Sequence, residues 1–279
     1  MDAHSAGRPS QADALAARYG RAAIPAAGPW NDTLALLLDH KSTRAFLPTA
    51  LPTGTLETLI AAAQSAPTSS NLQTWSVVTV TDPAVRAKLA AIAGGQKHIE
   101  QCPLFLVWLA DVSRLGRIAD AEARTLEGMP YLETFLVASI DAALAAQNAV
   151  VAAESLGLLT VYIGALRNDV EEVARLLDLP PGAVGVFGMC VGYADPAVPT
   201  EVKPRLPQAA VLHHGTYRIG DETAQRAAYD VELGAFSKRN EMQADTWTER
   251  VLARIATLRA LRGRDLLKAK LRALGFPLK

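Results

Sequence analysis

The chain has 279 residues, of which 50% are hydrophobic and 20% charged, an ordinary globular balance with enough chain to bury a sizeable core. Lys and Arg number 28, as do Asp and Glu, so the net field gives no reason to expect nucleic acid or an acidic membrane as partner. The balance hides an asymmetry: nine basic residues against two acidic ones lie between Trp247 and Lys279, most simply the solvated face of a terminal helix.

In chain order, Met1 to Gly28 is rich in Ala, Gly, Pro, Ser and Arg and reads as an extension, partly disordered, with a short helix around Gln11 to Arg18. Asn31-Asp32-Thr33 offers an N-cap to a helix over Leu34 to His40. A second helix runs from Thr55 to about Ser65 and is ended by Pro67. Trp75 to Thr81 alternates and is β-branched, which predicts a strand. Asp82-Pro83 caps a helix over Ala84 to Ile92, and Gly94-Gly95 terminates it.

Leu104 to Ala110 is an apolar run of strand length. A long helix follows from about Leu132 to Leu156. Its region is interrupted by Asp141, Gln147, Asn148 and Glu154, a polarity that argues against a membrane span and for burial within a protein or a dimer. Leu158 to Ile163 is a strand, Asn168-Asp169 starts a helix to Leu177, and Ala183 to Tyr193 is a strand interrupted by glycines. Helical spacing then dominates, notably from Thr248 to Leu274. The pattern is α/β or α+β in one domain, without internal repeat or linker. Cys102 and Cys190 lie in apolar runs, read as buried small hydrophobes and suit a reducing cytoplasm; no secretory signal is legible.

Several chemistries lack their motifs. No G-x-G-x-x-G follows a strand, and there is no P-loop, no H-E-x-x-H, no zinc-type Cys/His spacing and no G-x-S-x-G elbow. What stands out is His40-Lys41-Ser42-Thr43-Arg44, three potential cations and two hydroxyls at a helix-to-loop junction. Such a group can neutralise and hydrogen-bond a phosphate monoester, although alone it is better described as a solvated basic turn complementing a helix dipole. Ala66 to Trp75 crowds short polar donors between a helix and a strand, or is simply an ST-rich turn. Gly94-Gly95-Gln96-Lys97-His98 is a polar glycine turn. Tyr162-Ile163-Gly164-Ala165 is a strand end where a planar ligand could approach backbone, and Lys203-Pro204-Arg205 is a second rigid basic pair.

Taken together, H-K-S-T-R-A-F, A-P-T-S-S-N-L-Q-T-W, G-G-Q-K-H-I, D-A-A-L-A-A-Q-N-A-V-V-A-A-E-S-L-G-L, V-Y-I-G-A-L-R-N and K-P-R-L-P appear in family order from about Asn31 onward. With these segments the sequence resembles the nitroreductase superfamily, in its oxygen-insensitive NADPH nitroreductase and NADPH-flavin reductase branch. The resemblance implies an α+β nitroreductase-like fold, with a mixed central sheet flanked by helices in an intertwined homodimer. It implies an extension over residues 1–30 and an FMN-binding domain over 31–279, with a basic C-terminal helical extension wrapping onto the partner.

It further implies one FMN in each of two sites built across the subunit interface. His40, Lys41, Ser42, Lys203 and Arg205 would hold the phosphate, partly from different subunits. Arg44 would reach the ribityl chain and pyrimidine edge, where a cation stabilises the charge of the reduced ring. Thr68, Ser69, Gln73 and Gln96 would bond ribityl or ring polar atoms. Tyr162, Ile163, Gly164 and Ala165 would line the flavin, with the Gly164 N–H near N5. Arg239, or alternatively Lys238, would contact the 2′-phosphate of NADPH, the spacing to Asp245-Thr246-Trp247 being one residue short of the family's. Two departures are Lys41 in place of a usual arginine and Ala165 in place of a common glycine.

The implied activity is cytoplasmic ping-pong oxidation of NADPH, or NADH, with reduction of nitroaromatics, quinones or similar small acceptors. It needs no metal and no strict catalytic acid or base, because the flavin carries the chemistry. The alternatives are an NADPH-flavin reductase supplying free reduced FMN, and a flavin-binding sensor or interaction protein with little turnover.

Overall fold

A computed structural model describes residues 8–242 and 246–279. Residues 1–7 of the expected extension, and the Asp245 used in the spacing to Trp247, lie outside the described residues. Among the described residues sixteen α-helices and strands follow one another: α1 Gln11–Tyr19, α2 Asp32–Leu38, α3 Thr55–Gln64, β1 Trp75–Thr79, α4 Pro83–Ile92, α5 His98–Gln101, β2 Leu104–Asp111, α6 Ser113–Ala121, α7 Leu132–Ser155, β3 Leu159–Ile163, α8 Val170–Leu176, β4 Ala183–Gly192, α9 Glu222–Arg239, α10 Trp247–Ile255, α11 Leu258–Leu261 and α12 Leu267–Ala273.

The chain divides into two compact units, Met1–Lys41 with Thr200–Leu261, and Ser42–Pro199 with Arg262–Lys279. In the first unit, α1 starts on a Ser10 side chain that accepts from the Asp13 N–H, and α2 on an Asn31 side chain that accepts from the Leu34 N–H. Tyr229, Leu233 and Phe236 of α9 form its small core with Leu206, Met242 and Trp247. α10 opens on a reciprocal capping box between Thr246 and Glu249.

The second unit is built on a four-stranded sheet in the order β1-β2-β4-β3. The named strands pair antiparallel throughout, and the parallel element of the expected mixed sheet is an isolated bridge between Ser42 and Thr160. β2 shows why an uninterrupted apolar run makes a central strand. Phe105, Val107 and Leu109 enter one core with Leu89, Ile99 and Cys190, while Leu106 and Trp108 enter the other with α3 and α7. α7 presents Ala145, Ala146, Ala149, Val150 and Ala153 to that second core, small residues that bring a 24-residue helix close to the sheet. By length and composition α7 could cross a membrane, yet these residues pack against β2 and β4 strand side chains instead.

Cys102 and Cys190 are buried, and burial pushes the Cys190 thiol far above its ordinary range, so it behaves as an apolar filler. The helical spacing from Thr248 to Leu274 is realised as α10, α11, a 3₁₀ turn and α12. The Thr257 hydroxyl accepts from the Ala260 N–H and restarts the chain as a cap, and Gly263 is left-handed at φ +82°. α12 then joins the second unit, with Leu271 and Phe276 buried against Ala110, Ala138 and Val184.

Candidate functional site

The expected residues fall into two sets, one in each unit. In the first unit, His40 and Lys41 follow the end of α2, and Lys203 and Arg205 lie on the segment preceding α9. A residue that sequence reasoning missed ties these segments together. Arg18, only 8% exposed, donates from Nη1 to the Lys203 carbonyl at 2.8 Å and from Nη2 to the Leu38 and His40 carbonyls at 2.8 and 2.9 Å. Its own carbonyl accepts from the Arg205 N–H at 2.8 Å. The Tyr229 hydroxyl donates to the Pro204 carbonyl at 2.9 Å from the α9 side, and burial holds that phenol above its usual range.

Lys41 pairs with Asp39 at 3.3 Å, and the Lys203 ammonium sits 5.5 Å from the Phe236 ring centroid. Arg205 is exposed and turns an Nη towards the Lys203 and Pro204 carbonyls, both at 3.3 Å. Arg239, in the last turn of α9, forms a solvent-exposed ion pair with Glu201 at 3.2 Å, a contact of the class worth about 0–1 kcal/mol. Lys238 beside it is exposed.

In the second unit, Ser42 to Phe46 runs between two structural edges. The Thr43 N–H donates to the Thr160 carbonyl at the start of β3, and Phe46 bridges to Ala194. Ser42 and Arg44 are exposed, whereas Thr43 points inward. Three buried polar atoms, Thr43 Oγ1, Thr160 Oγ1 and His98 Nε2, have no hydrogen-bond partner among the described residues. Burial, and secondarily the positive charge of Arg44, lowers the His98 pKa and keeps its imidazole neutral. Gln96 donates its side-chain amide to the Ala93 carbonyl at 2.8 Å.

The polar loop after α3 is organised by one buried carboxylate. Asp141 of α7, 2% exposed, accepts at Oδ2 from the Thr68 hydroxyl at 2.5 Å, the Thr74 hydroxyl at 3.0 Å and the Thr74 N–H at 3.3 Å. Its Oδ1 accepts from the Ser69 N–H at 3.1 Å. Within this grip Ser70, Asn71 and Gln73 adopt φ of +48°, +55° and +51°. Left-handed backbone costs an L-residue about 1–2 kcal/mol, so the loop holds this shape because the surrounding bonds impose it. Arg114 adds a bond from Nη1 to the Gln73 carbonyl at 2.8 Å.

Thr68 spends its only proton on Asp141 and also accepts from the Gln73 N–H, so it can offer a ligand an acceptor but no donor. Ser69 and Gln73 are the exposed members of the expected set. Asp141 was visible in sequence as one of four polar residues in an apolar helix region, which signalled burial but not what it would hold.

At the end of β3, Ile163 is buried in the core. Tyr162 packs edge-to-face on Phe187 at 5.1 Å, and burial, with Glu154 adding to it, holds its phenol protonated well above its ordinary range. Gly164 and Ala165 begin a 3₁₀ turn. A Cβ at Gly164 would lie 3.2 Å from Arg167 Nη2, whose guanidinium also donates to the Val186 carbonyl.

A neutral imidazole, an exposed guanidinium, a strand end with a glycine and a fixed hydroxyl-rich loop are donors and surfaces for a polar, flat ligand. The basic segments of the first unit suit an anion. Comparison with known proteins agrees with these properties. Residues 37–193 match the Nitroreductase family and residues 203–279 its C-terminal domain, so the chain belongs to the nitroreductase family.

It is 36% identical over 227 residues to FMN reductase (NADPH) of Bacillus subtilis, covering 80% of this chain and 90% of the relative. It is 39% identical over 222 residues to the oxygen-insensitive NADPH nitroreductase of Salmonella typhimurium, covering 78% and 89% respectively. Among solved structures, NfrA2 of B. megaterium superposes with a TM-score of 0.82 at 36% identity, over 90% of this chain and all of that one. The NADPH:FMN oxidoreductase of Vibrio harveyi in complex with NAD+ gives 0.79 at 33%, over 89% and 100%. The expected nitroreductase-like α+β fold is thus the observed one.

Proposed function

We propose that the chain is an FMN-dependent NAD(P)H oxidoreductase that reduces nitroaromatics, quinones or similar small acceptors, the donor and acceptor using the same face in turn. The observation that carries this reading is the loop fixed by Asp141, which turns exposed Ser69 and Gln73 into preset polar contacts in a chain of this family. The residues fit the flavin in chemistry. His98 Nε2 is a buried orphan beside the positive field of Arg44, and the polar edge of a heteroaromatic ring would satisfy it. His40, Lys41, Lys203 and Arg205 supply the charge and directional donors that a phosphate monoester requires, and Ser42 contributes a hydroxyl.

Bound FMN would supply two-electron hydride chemistry. Arg44 would set a positive potential at the pyrimidine edge, and the Gly164 N–H would face N5, with Tyr162, Ile163 and Ala165 completing that wall. Thr68 would shape the loop that presents Ser69 and Gln73, and Gln96 would bond the ring or ribityl from the neighbouring turn. NADPH is the preferred donor in this reading, with Arg239 or Lys238 meeting its 2′-phosphate, since the relatives named above carry NADPH in their names.

A second reading, supply of free reduced FMN to other proteins, is favoured by the relative named FMN reductase. Rates with FMN, a quinone and a nitroaromatic as acceptors separate the two: FMN as the fastest acceptor supports the second reading, and slow turnover with all three counts against both.

A homodimer is supported by an apolar stripe on α7, where Leu132, Leu136, Ile140 and Leu144 are exposed at four-residue spacing. Leu252, Ile255 and Leu258 of α10 and α11 are likewise exposed, the sort of face a wrapping C-terminal extension covers. Sedimentation should give a dimer; a monomer at micromolar concentration would remove that part. The two reduced, buried cysteines suit a cytoplasmic setting. Residues 31–279 are read as one FMN-binding domain preceded by an extension.

A further inference from the structure

We infer that Arg18 is a positioning residue for the phosphate group of the bound flavin, so that the segment preceding residue 37 completes the anion site rather than merely trailing from it. This rests on the reading of His40, Lys41, Lys203 and Arg205 as phosphate ligands. The family match starts at residue 37, so neither matched region contains Arg18. Its guanidinium nevertheless makes three hydrogen bonds to carbonyls in two segments, 20 to 22 and 185 residues away in sequence. The backbone bond from Arg205 N–H to the Arg18 carbonyl closes the link in the other direction.

The physical need is plain. Four potentially cationic side chains brought to one anion repel one another before it arrives, and these half-buried or exposed groups would relax outward if their backbone could move. A planar fork reaching the carbonyls of Leu38, His40 and Lys203 fixes both backbones at once, and those carbonyl dipoles offset the buried positive charge. A point-like ammonium has neither the reach nor the fork. The exit from α1 is itself constrained: Gly20, two residues on, sits at φ +73°, a backbone conformation that L side chains rarely adopt.

The test compares FMN with riboflavin, which lacks only the phosphate, by fluorescence titration of purified full-length protein. Arg18→Ala and Arg18→Lys should each weaken FMN by about tenfold or more while leaving riboflavin within about twofold, collapsing the FMN-to-riboflavin affinity ratio. A role in general folding would lower both affinities together, and that result overturns the inference. So does Arg18→Lys with a wild-type ratio, which would mean that charge alone matters. If Arg18→Ala does not fold, Arg18→Lys, which keeps the charge and loses the fork, carries the test alone, and a wild-type ratio there again overturns the inference. Wild-type protein that binds neither flavin would instead remove the parent reading, so the two failures are distinguishable.

Discussion

Arg18 and Asp141 solve the same problem with opposite charge. Asp141 gathers hydroxyls and N–H groups from the loop at residues 68–74, and Arg18 gathers carbonyls from the segments at 38–40 and 203. Each sits almost wholly inside its own unit and leaves other residues to face a ligand. The difference lies in what they hold. The loop under Asp141 has three left-handed non-glycine residues and a shape that its neighbours impose, whereas Arg18 holds the backbone that carries the cations and leaves Lys41 in a 3.3 Å pair with Asp39. A ring edge needs shape; a phosphate needs charge placed on a steady backbone. The first should therefore fail steeply and all at once when its centre is removed, and the second gradually and with a strong dependence on salt.

The largest effect is expected from Asp141→Ala. It strands two N–H groups and two hydroxyls and leaves the left-handed residues unsupported, a loss of about 3–5 kcal/mol by analogy with breaking buried charged contacts. Thermal unfolding with and without FMN should show a lower midpoint and no flavin rescue; a wild-type midpoint would break the contrast. Next come Lys203→Ala and Arg205→Ala, each expected to weaken FMN about 10- to 100-fold while sparing riboflavin, with the remaining affinity less sensitive to salt. Equal losses for FMN and riboflavin would show that these residues act on shape after all.

Arg239→Ala should raise the KM for NADPH about tenfold without changing that for NADH, in line with one charge-assisted contact to a phosphate. If only Lys238→Ala has that effect, the contact belongs to the neighbour.

The smallest effect concerns His98. Its folded pKa lies below the unfolded value of about 6.5, so below that pH the unfolded chain takes up more protons than the folded one. Stability is therefore fully present above about pH 6.5 and is lost as pH falls from there through the lowered folded value. His98→Gln should lose less stability than wild type across this window in urea titrations at several pH values. Parallel curves for the two proteins would count against a neutral, buried imidazole.

Much of the fold could be read from local pattern. The helix Leu132–Ser155, the strands at residues 75–79, 104–111, 159–163 and 183–192, and the caps at Asn31 and Asp82 follow periodicity and capping chemistry. The helical character of the C-terminal region was legible from its apolar spacing, but not its breaks, which a side-chain cap at Thr257 and a left-handed Gly263 set. α9 was not delimited because its apolar residues carry little helical period, and α6 was missed although its nine residues are clearly amphipathic.

For the site, motif order revealed which residues belong together but not what holds them. Arg18 lay in a stretch whose composition resembles a tail, and its three acceptors are backbone carbonyls, which have no sequence signature. Thr68 shows the converse: its residue type suggested a ligand donor, yet its proton is taken by a carboxylate 73 positions away.

The central claim is a flavin that this chain binds and that NADPH reduces. Purified protein should titrate to one FMN per chain with the visible spectrum of oxidised flavin, and NADPH added without oxygen should bleach that absorbance until an acceptor is supplied. Protein that takes up no FMN at micromolar concentration, or whose bound FMN keeps its colour under anaerobic NADPH, would contradict the account.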